Sequence, residues 1–271
     1  MLKYREFLYA NFYYDKDKVV AFPPIVREMK RISRCLTGCI AAQVPTTSEF
    51  DCGSLACSHS RQMKIDELPH NLLVRLEREE EWGFTFMTLK LRQCLPAFPY
   101  RDKKGLRAAL ARIKRYFAAF RRMATRGQGI RLRGGAYGIH TFWKKEPKRW
   151  DVHMHVVLVG RVSPSDRRIL RAIWRRISRR PPHDRHGFHV KPITHNLYRV
   201  LAYIIPGMVS TFYDRRSPYF KRSKMALAYA ESAKHPAALA EWLDAVRPAR
   251  GTSLKRSNRT MGTFGCIRHR L

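Results

Sequence analysis

The chain has 271 residues, which is enough for one large domain or for a catalytic domain with smaller attachments. Hydrophobic residues make up 45% of the sequence, so the chain can bury a core, and this argues against global disorder. Its 54 Lys and Arg residues exceed its 21 Asp and Glu residues, giving a formal net charge of +33. Because such a charge attracts polyanions, nucleic acid is the expected partner; a basic surface that only confers solubility, or one that meets acidic lipid, is the alternative.

The sequence predicts no membrane partner. No apolar run reaches the roughly 20 residues that span a bilayer. The first 21 residues interrupt their apolar positions with charges and aromatic side chains, unlike a secretion signal. Six cysteines in a chain of this length do not make a disulfide scaffold, so we expect a reducing, cytoplasmic location.

Apolar periodicity, glycines, prolines and helix caps predict the elements, after an irregular N-terminal segment with one helix near 25–36. For example, Ser163 suits an N-cap and Pro164 suits the first helical position. In chain order the predicted elements are a helix at 67–81, a strand at 84–91, a basic helix at 103–126, strands at 136–145 and 150–159, a helix at 163–180, a strand at 187–193, a helix at 196–205, one helix or two broken near Pro236 at 226–246, and a basic, loop-like tail from 247.

The order of these elements predicts the fold class. The strands at 136–145 and 150–159 are joined by a short connection, which favours an antiparallel hairpin. From residue 84 the order is strand, helix, strand, strand, helix, strand, helix, which suits an antiparallel sheet with helices on one face, an α+β fold. We therefore expect a central antiparallel sheet with helices packed mainly on one face.

The sharpest local pattern is His153-Met154-His155 inside an apolar strand. Side chains alternate along a strand, so the two histidines share one face and can converge on a metal ion. The alternative is a pair of polar residues at the edge of a sheet. Glu146, in the preceding turn, is a competing ligand.

The hairpin adds a third candidate ligand. If its turn is centred on 147–148, His140 lies opposite His155 and Phe142 lies opposite His153. Directly opposed residues share a face, so His140 would join the other two histidines. This inference depends on the register, because a slip of one residue reverses the faces.

At these positions the sequence resembles the HUH endonucleases. His153-Met154-His155 with its apolar flanks is similar to the family's His-hydrophobe-His motif. FTFMTL at 84–89 resembles the first motif, and YIIPG at 203–207 resembles the third, a helix with a tyrosine that is commonly followed by a lysine three residues later. The resemblance covers roughly residues 84–215.

Two positions depart from the family pattern. Pro206 stands where a lysine is usual, so the role of that lysine is either absent or supplied by another residue. His140 stands where a glutamate often serves as the third ligand, although relatives such as relaxases have three histidines.

The resemblance implies a rolling-circle replication initiator of plasmid or phage type, which nicks and rejoins single-stranded DNA at an origin. A tyrosine would attack phosphorus to form a 5′-phosphotyrosine, with Mg²⁺ or Mn²⁺ at the histidines. Tyr203 is the expected nucleophile, Tyr198 is the second choice and Tyr213 a third, unless these side chains only pack in the core. The sequence has no Gly-x4-Gly-Lys-Ser/Thr loop, so a host helicase and polymerase are implied as partners.

With this resemblance the chain divides into an N-terminal segment at 1–66, an HUH-like nuclease domain at 67–215 and a helical, basic C-terminal extension at 216–271. Two cysteine pairs in the first segment have a spacing that favours a structural zinc site, with His59 as a possible substitute ligand and unrelated thiols as the alternative. The four cysteines are Cys35, Cys39, Cys52 and Cys57.

Two predicted helices, 103–126 and 163–180, are crowded with arginines whose heads can follow a phosphate backbone; a solvated surface is the alternative. The arginines expected to bind DNA are Arg112, Arg115, Arg122, Arg171, Arg175 and Arg179. Four interleaved aromatic residues either stack on bases or belong to the core. They are Tyr116, Trp143, Trp150 and Trp174.

Two other functions fit the same residues. An HUH transposase would use the same chemistry on transposon ends, and genomic neighbours would distinguish it. A non-catalytic, basic, zinc-containing nucleic-acid-binding protein would use the histidines structurally, and metal-dependent cleavage would argue against it.

Overall fold

The structure is a computed structural model that describes residues 72–74, 76, 79–96, 105–130, 132–144, 146–179, 187–206, 211–212, 231–232, 234–246 and 260–266. The four cysteines of the predicted zinc site lie outside the described residues, as do His59 and Tyr213. The zinc site and the division into three segments therefore stay predictions.

In the part of the chain that the structure describes, five strands form one sheet in which every neighbouring pair is antiparallel. In chain order they are β1 (Phe84–Lys90), β2 (Gly134–Lys144), β3 (Arg149–Val159), β4 (Phe188–Ile193) and β5 (Met261–Gly265). Their spatial order is β4-β1-β3-β2-β5. The predicted α+β class with a central antiparallel sheet is confirmed.

Among the described helices, those that pack on this sheet include α1 (Gly105–Arg122), α2 (Pro164–Ser178), α3 (Leu197–Ile204) and α4 (Pro236–Val246). A π-helical turn, Met123–Gly127, continues α1. The predicted cap is present, because the Ser163 hydroxyl accepts a hydrogen bond from the backbone N–H of Asp166 at the start of α2. Asn196 caps α3 in the same way by accepting from the N–H of Arg199.

The two faces of the sheet have different neighbours. On the first, which we call the core face, Val152 and Met154 pack in a hydrophobic cluster with residues of α1, α2 and α4. On the second, the histidine face, Val157 packs with Leu201 and Ile204 of α3. The described helices therefore lie on both faces: α1, α2 and α4 cover the core face, and the tyrosine helix α3 covers the histidine face.

The register of the β2–β3 hairpin differs from the expected one. His140 pairs with His153, and Gly138 pairs with His155. The expected pairings of His140 with His155 and of Phe142 with His153 are wrong, because the turn is centred one residue earlier than 147–148. That shift moves every partner by two residues, so the alternation of side chains is preserved and His140 still faces the other histidines.

A second difference lies near the C-terminus. Residues expected to be loop-like form β5, which pairs with β2 and becomes an edge strand of the sheet. The segment MGTFG has two glycines and lacks a run of strand-forming side chains, so its composition did not signal a strand. Its partner allows close approach, because a Cβ on Gly134 would lie 2.7 Å from the backbone nitrogen of Cys266.

Candidate metal and tyrosine site

Three histidines meet on the histidine face, as the sequence predicted. The ring centroids of His140 and His155 are 4.6 Å apart, and those of His153 and His155 are 4.8 Å apart. One ring nitrogen from each residue lies within 4.8 Å of the other two. Three such atoms all lie within about 2.8 Å of one point, against a usual metal–nitrogen distance of about 2.1 Å. The cluster can hold a metal ion after a small inward movement of the rings.

Hydrogen bonds assign the ring nitrogens of His140 and His155. His140 Nε2 lies 3.1 Å from the carbonyl oxygen of Ile204; since a carbonyl only accepts, Nε2 carries the proton and Nδ1 has the lone pair. His155 Nδ1 is hydrogen-bonded to Thr88 Oγ1 over 3.0 Å. His155 Nε2 is buried and has no hydrogen-bond partner in the described part of the chain. A buried nitrogen without a partner is costly unless a ligand satisfies it, which fits a metal-binding role.

Asp151 is a member of the site that the sequence analysis missed. Its Oδ1 lies 3.5 Å from His153 Nδ1, and Lys90 Nζ and Lys144 Nζ lie 3.7 and 3.9 Å from its Oδ2. Burial acts to raise the pKa of Asp151, but the contact with His153 and the two lysines outweigh it and lower this pKa. A carboxylate behind a ligating histidine commonly orients the ring. The sequence pattern that could have identified Asp151 is the alternation of Asp151, His153 and His155, which places all three side chains on one face of the strand.

The environment keeps His155 neutral. Its side chain is almost completely buried, and burial, followed by the neighbouring His140 and His153, lowers its pKa to about 2. Neutral imidazole is the form that binds a metal ion. The ring is therefore in its ligating form across the physiological pH range.

Tyr203 lies beside the histidines. Its ring centroid is 4.9 Å from that of His155 and 5.6 Å from that of His140. The side chain is 53% exposed, so one side of the ring meets the cluster while the residue stays accessible. The close approach of α3 depends on Gly138, because a Cβ there would lie 1.7 Å from the carbonyl oxygen of Ile204.

The other tyrosine predicted on α3 is placed differently. Tyr198 is 38% exposed. It lies five residues before Tyr203, which in an α-helix is about 140° around the axis and about 7.5 Å along it. The two side chains thus leave α3 in different directions, and Tyr203 is the one whose ring contacts His140 and His155.

Pro206, at the position where the sequence comparison above led us to look for a lysine, is buried just after α3. A lysine from a strand, β4, lies near the site. Lys191 of β4 places its Nζ 5.5 Å from the centroid of the Phe86 ring. Phe86 in turn stacks on His155, with centroids 5.2 Å apart, and lies 6.1 Å from Tyr203. Lys191 of β4 therefore places a positive charge on this side of the cluster.

The predicted DNA-binding arginines are not at this site. They belong to α1 and α2 or to the residue after α2, and both helices pack on the core face. Three of the four interleaved aromatic residues are core residues, because Trp143, Trp150 and Trp174 are buried, and Tyr116 is partly buried against them. The stacking alternative is wrong for the three tryptophans.

No family model, curated protein or solved structure matches this chain. Among the described helices, none has the length and apolar character needed to cross a membrane. The function is therefore inferred from the chemistry of the site.

Proposed function

We propose that this protein is an HUH-type endonuclease that nicks and rejoins single-stranded DNA through Tyr203. One observation carries the proposal: an accessible tyrosine lies against a cluster of three histidines that can hold a metal ion. A tyrosine that only packed in the core would be buried, and histidines that only stabilised the sheet would have both ring nitrogens satisfied. Neither description fits Tyr203 or His155.

The reaction assigned to Tyr203 is a transesterification. Its hydroxyl oxygen loses a proton and attacks the scissile phosphorus, forming a tyrosine–phosphate bond as the bond from phosphorus to the 3′ oxygen breaks. That oxygen takes up a proton and leaves as a 3′-hydroxyl, while the 5′ end stays on Tyr203. Because the phosphodiester energy is retained in the new bond, a 3′-hydroxyl can reverse the step and rejoin the strand.

His140, His153 and His155 would hold Mg²⁺ or Mn²⁺, which supplies positive charge to an oxygen of the scissile phosphate. Imidazole ligands favour Mn²⁺ intrinsically, whereas Mg²⁺ prefers oxygen ligands. The resemblance to the HUH family is what implies that either ion serves.

The surrounding residues support these roles. Thr88 is hydrogen-bonded to Nδ1 of His155, which leaves the buried Nε2 atom of that ring to bind the ion. Asp151 lies beside His153, where its carboxylate can orient the ring. Lys191 brings a positive charge toward Phe86 and Tyr203. We assign to Lys191 the attraction of the phosphate that the lysine of the family motif would otherwise provide.

A covalent-adduct assay tests the proposal. Purified protein, Mn²⁺ and a labelled library of single-stranded DNA are combined, and denaturing gels report protein–DNA adducts. We expect an adduct with the wild type, and loss of it with Tyr203→Phe and with the His153→Ala/His155→Ala variant. The matched control is Tyr198→Phe, on the same helix, which should retain the adduct.

Other outcomes would change the assignment. An adduct lost only in Tyr198→Phe would move the nucleophile to that residue. Tight DNA binding without any adduct, with all ions and across the whole library, would favour the non-catalytic binding protein. The role as a replication initiator rests on the family resemblance, and a transposase would give the same adduct.

A further inference from the structure

The helices on the core face of the sheet carry a surface rich in arginine. Arginines of α1 and α2, together with Arg179 directly after α2, form a surface that we call the arginine face. This surface lies on the far side of the sheet from the histidines. The two helices lie side by side, because the rings of Phe120 and Trp174 are 6.0 Å apart and those of Tyr116 and Trp174 are 6.5 Å apart. The arginine face comprises Arg112, Arg115, Arg122, Arg171, Arg175 and Arg179.

The charge of this face is not neutralised by its own helices. α1 contains no acidic residue, and the acidic residue of α2, Asp166, accepts a hydrogen bond from the Ser163 hydroxyl. Arg112, Arg115, Arg122 and Arg179 are exposed, and Arg171 and Arg175 are half-buried. Arg115 and Arg122 are seven residues apart, so they project from nearly the same side of α1 about 10 Å apart. This regular spacing on rigid helices suits a polymer with repeating negative charge.

Aromatic side chains distinguish the two faces. On the histidine face, α3 exposes Tyr198 and Tyr203, which offer rings to unstacked bases. On the core side, Phe117 and Phe120 of α1 and Trp174 of α2 are buried. None of the large hydrophobic residues found exposed in the described part of the chain belongs to α1 or α2. The arginine face therefore lacks the stacking platform that a single strand needs.

Apart from arginines, the exposed residues that lie among these positions on α1 and α2 carry no groups that read bases. They include Ala111 and Ala118 of α1 and Ala172 of α2. Base edges are read through hydrogen-bond donors and acceptors, and alanine has none in its side chain. Guanidinium groups can bond a guanine edge as well as a phosphate. With alanines between them, the interaction that repeats along the whole face is the charge-assisted bond from guanidinium to phosphate, which does not depend on base sequence.

We infer that the arginine face binds the backbone of duplex DNA without sequence preference, while the single strand that is cut lies on the opposite, histidine face. The inference rests on the proposed function in taking DNA as the polymer. The sheet then lies between the two DNA segments. The duplex beside the cleavage point is held by helices that do not take part in the chemistry.

Two variants with equal loss of charge test this inference. One is Arg115→Gln/Arg122→Gln/Arg179→Gln on the arginine face, and glutamine keeps the propensity of the helices. The matched variant replaces three cations on the histidine face, Lys144→Gln/Arg149→Gln/Lys191→Gln. Dissociation constants are measured for a duplex of roughly 20 base pairs, about two helical turns, and for one of its strands, at several salt concentrations with EDTA present.

We expect the arginine-face variant to bind the duplex at least tenfold more weakly, with a much smaller change for the single strand. Its slope of log affinity against log salt should fall by up to about 2.7, which is about 0.9 for each phosphate that the variant no longer neutralises. The histidine-face variant should show the reverse preference. Arg→Lys at the same three positions keeps the charge and should restore most duplex binding, which would show that the weaker binding comes from the lost charge.

Three results would overturn the inference: unchanged duplex binding in the arginine-face variant, equal losses for both ligands in both variants, or tighter binding of anionic lipid vesicles than of duplex DNA by the wild type. Because EDTA prevents metal-dependent cleavage, these outcomes are read independently of whether Tyr203 forms an adduct. A protein that fails the adduct assay can still pass or fail this one.

Discussion

The Nε2 of His140 donates a hydrogen bond to the carbonyl oxygen of Ile204, with 3.1 Å between the two atoms. This bond joins the histidine cluster to the last turn of α3, one residue after Tyr203. The same carbonyl lies over Gly138, two residues before His140 on β2. The position of the tyrosine and the orientation of one candidate ligand therefore depend on a single helix–strand contact.

Gly138→Ala tests this contact. An added Cβ would lie 1.7 Å from the carbonyl oxygen of Ile204, so the backbone of α3 must move away from β2. We expect loss of the His140–Ile204 bond and of the packing of Tyr203, with at least a tenfold lower yield of protein–DNA adduct. The free energy of unfolding should fall by about 1–3 kcal/mol, as in other overpacked sites. Adduct gels and urea unfolding measure the two effects.

The matched control is Gly127→Ala, at the end of the π-helical turn. No atom lies within 4 Å of a Cβ at that position, so both the adduct yield and the unfolding midpoint should stay near those of the wild type. A Gly138→Ala protein with full adduct yield would mean that α3 does not position the nucleophile.

Asp151→Asn tests the orientation of His153. The variant keeps an oxygen near His153 Nδ1 but removes the negative charge that lies between this ring, Lys90 and Lys144. We expect the dissociation constant for Mn²⁺ to rise by about 10–100-fold, the usual effect of removing a carboxylate behind a ligating histidine. Isothermal titration calorimetry with Mn²⁺ measures it.

For that experiment Asp166→Asn is the control, because Asp166 lies at the start of α2 and contacts Ser163 rather than the histidines. It should bind Mn²⁺ like the wild type. Equal dissociation constants for wild type and Asp151→Asn would remove Asp151 from the metal site.

The histidine cluster was predictable because its geometry depends on alternation along strands and on one hairpin. The exact pairing was not: the turn of β2–β3 is centred one residue from the expected place, and His140 pairs with His153. A change of two in register leaves the same side chains on the same face. Alternation along the strands thus predicted which side chains share a face, although it did not predict which residues are paired across the two strands.

What sequence reasoning missed depends on contacts between distant segments. β5 joins the sheet through pairing with β2, more than 100 residues earlier, and its own composition is weak. Both α1 and α3 are amphipathic, and the sequence of neither helix predicts the face of the sheet on which it packs. That α3 lies with the histidines and the arginine-rich helices lie on the core face emerged only from the packing.

The buried histidine should make stability depend on pH. The pKa of His155 is lowered to about 2 in the folded protein, whereas in the unfolded chain it is near 6.5. Below about pH 6.5 this histidine is therefore protonated in the unfolded state but stays neutral in the folded state. The free energy of unfolding consequently falls as the pH is lowered. His155 contributes a slope of about 1.4 kcal/mol per pH unit in this window.

Urea unfolding in EDTA at about pH 7 and about pH 5 measures this dependence. The His155→Gln variant has no titrating ring at this position, so its stability should decline less between the two values. An identical decline in the two proteins would mean that the pKa of His155 in the folded protein is not lowered.

The last prediction concerns the core face. Glu241 of α4 is buried, and its two carboxylate oxygens accept hydrogen bonds from the backbone N–H of Leu106 and from Trp150 Nε1, at 2.7 and 2.8 Å. Leu106 lies in the first turn of α1, where N–H groups have no acceptor within the helix and a negative charge is favourable. One carboxylate thus ties α4 to the start of α1 and to β3.

Glu241→Gln should lower the free energy of unfolding by about 1–3 kcal/mol, because the amide NH₂ must face one of the two N–H donors and leave it unsatisfied. Urea unfolding measures the effect, and Glu81→Gln, at an exposed position, should change stability by no more than about 0.5 kcal/mol. Mn²⁺ affinity should be unchanged in both variants, since Glu241 lies on the opposite side of the sheet from the histidines. If Glu241→Gln were as stable as Glu81→Gln, the carboxylate would not hold these three elements together.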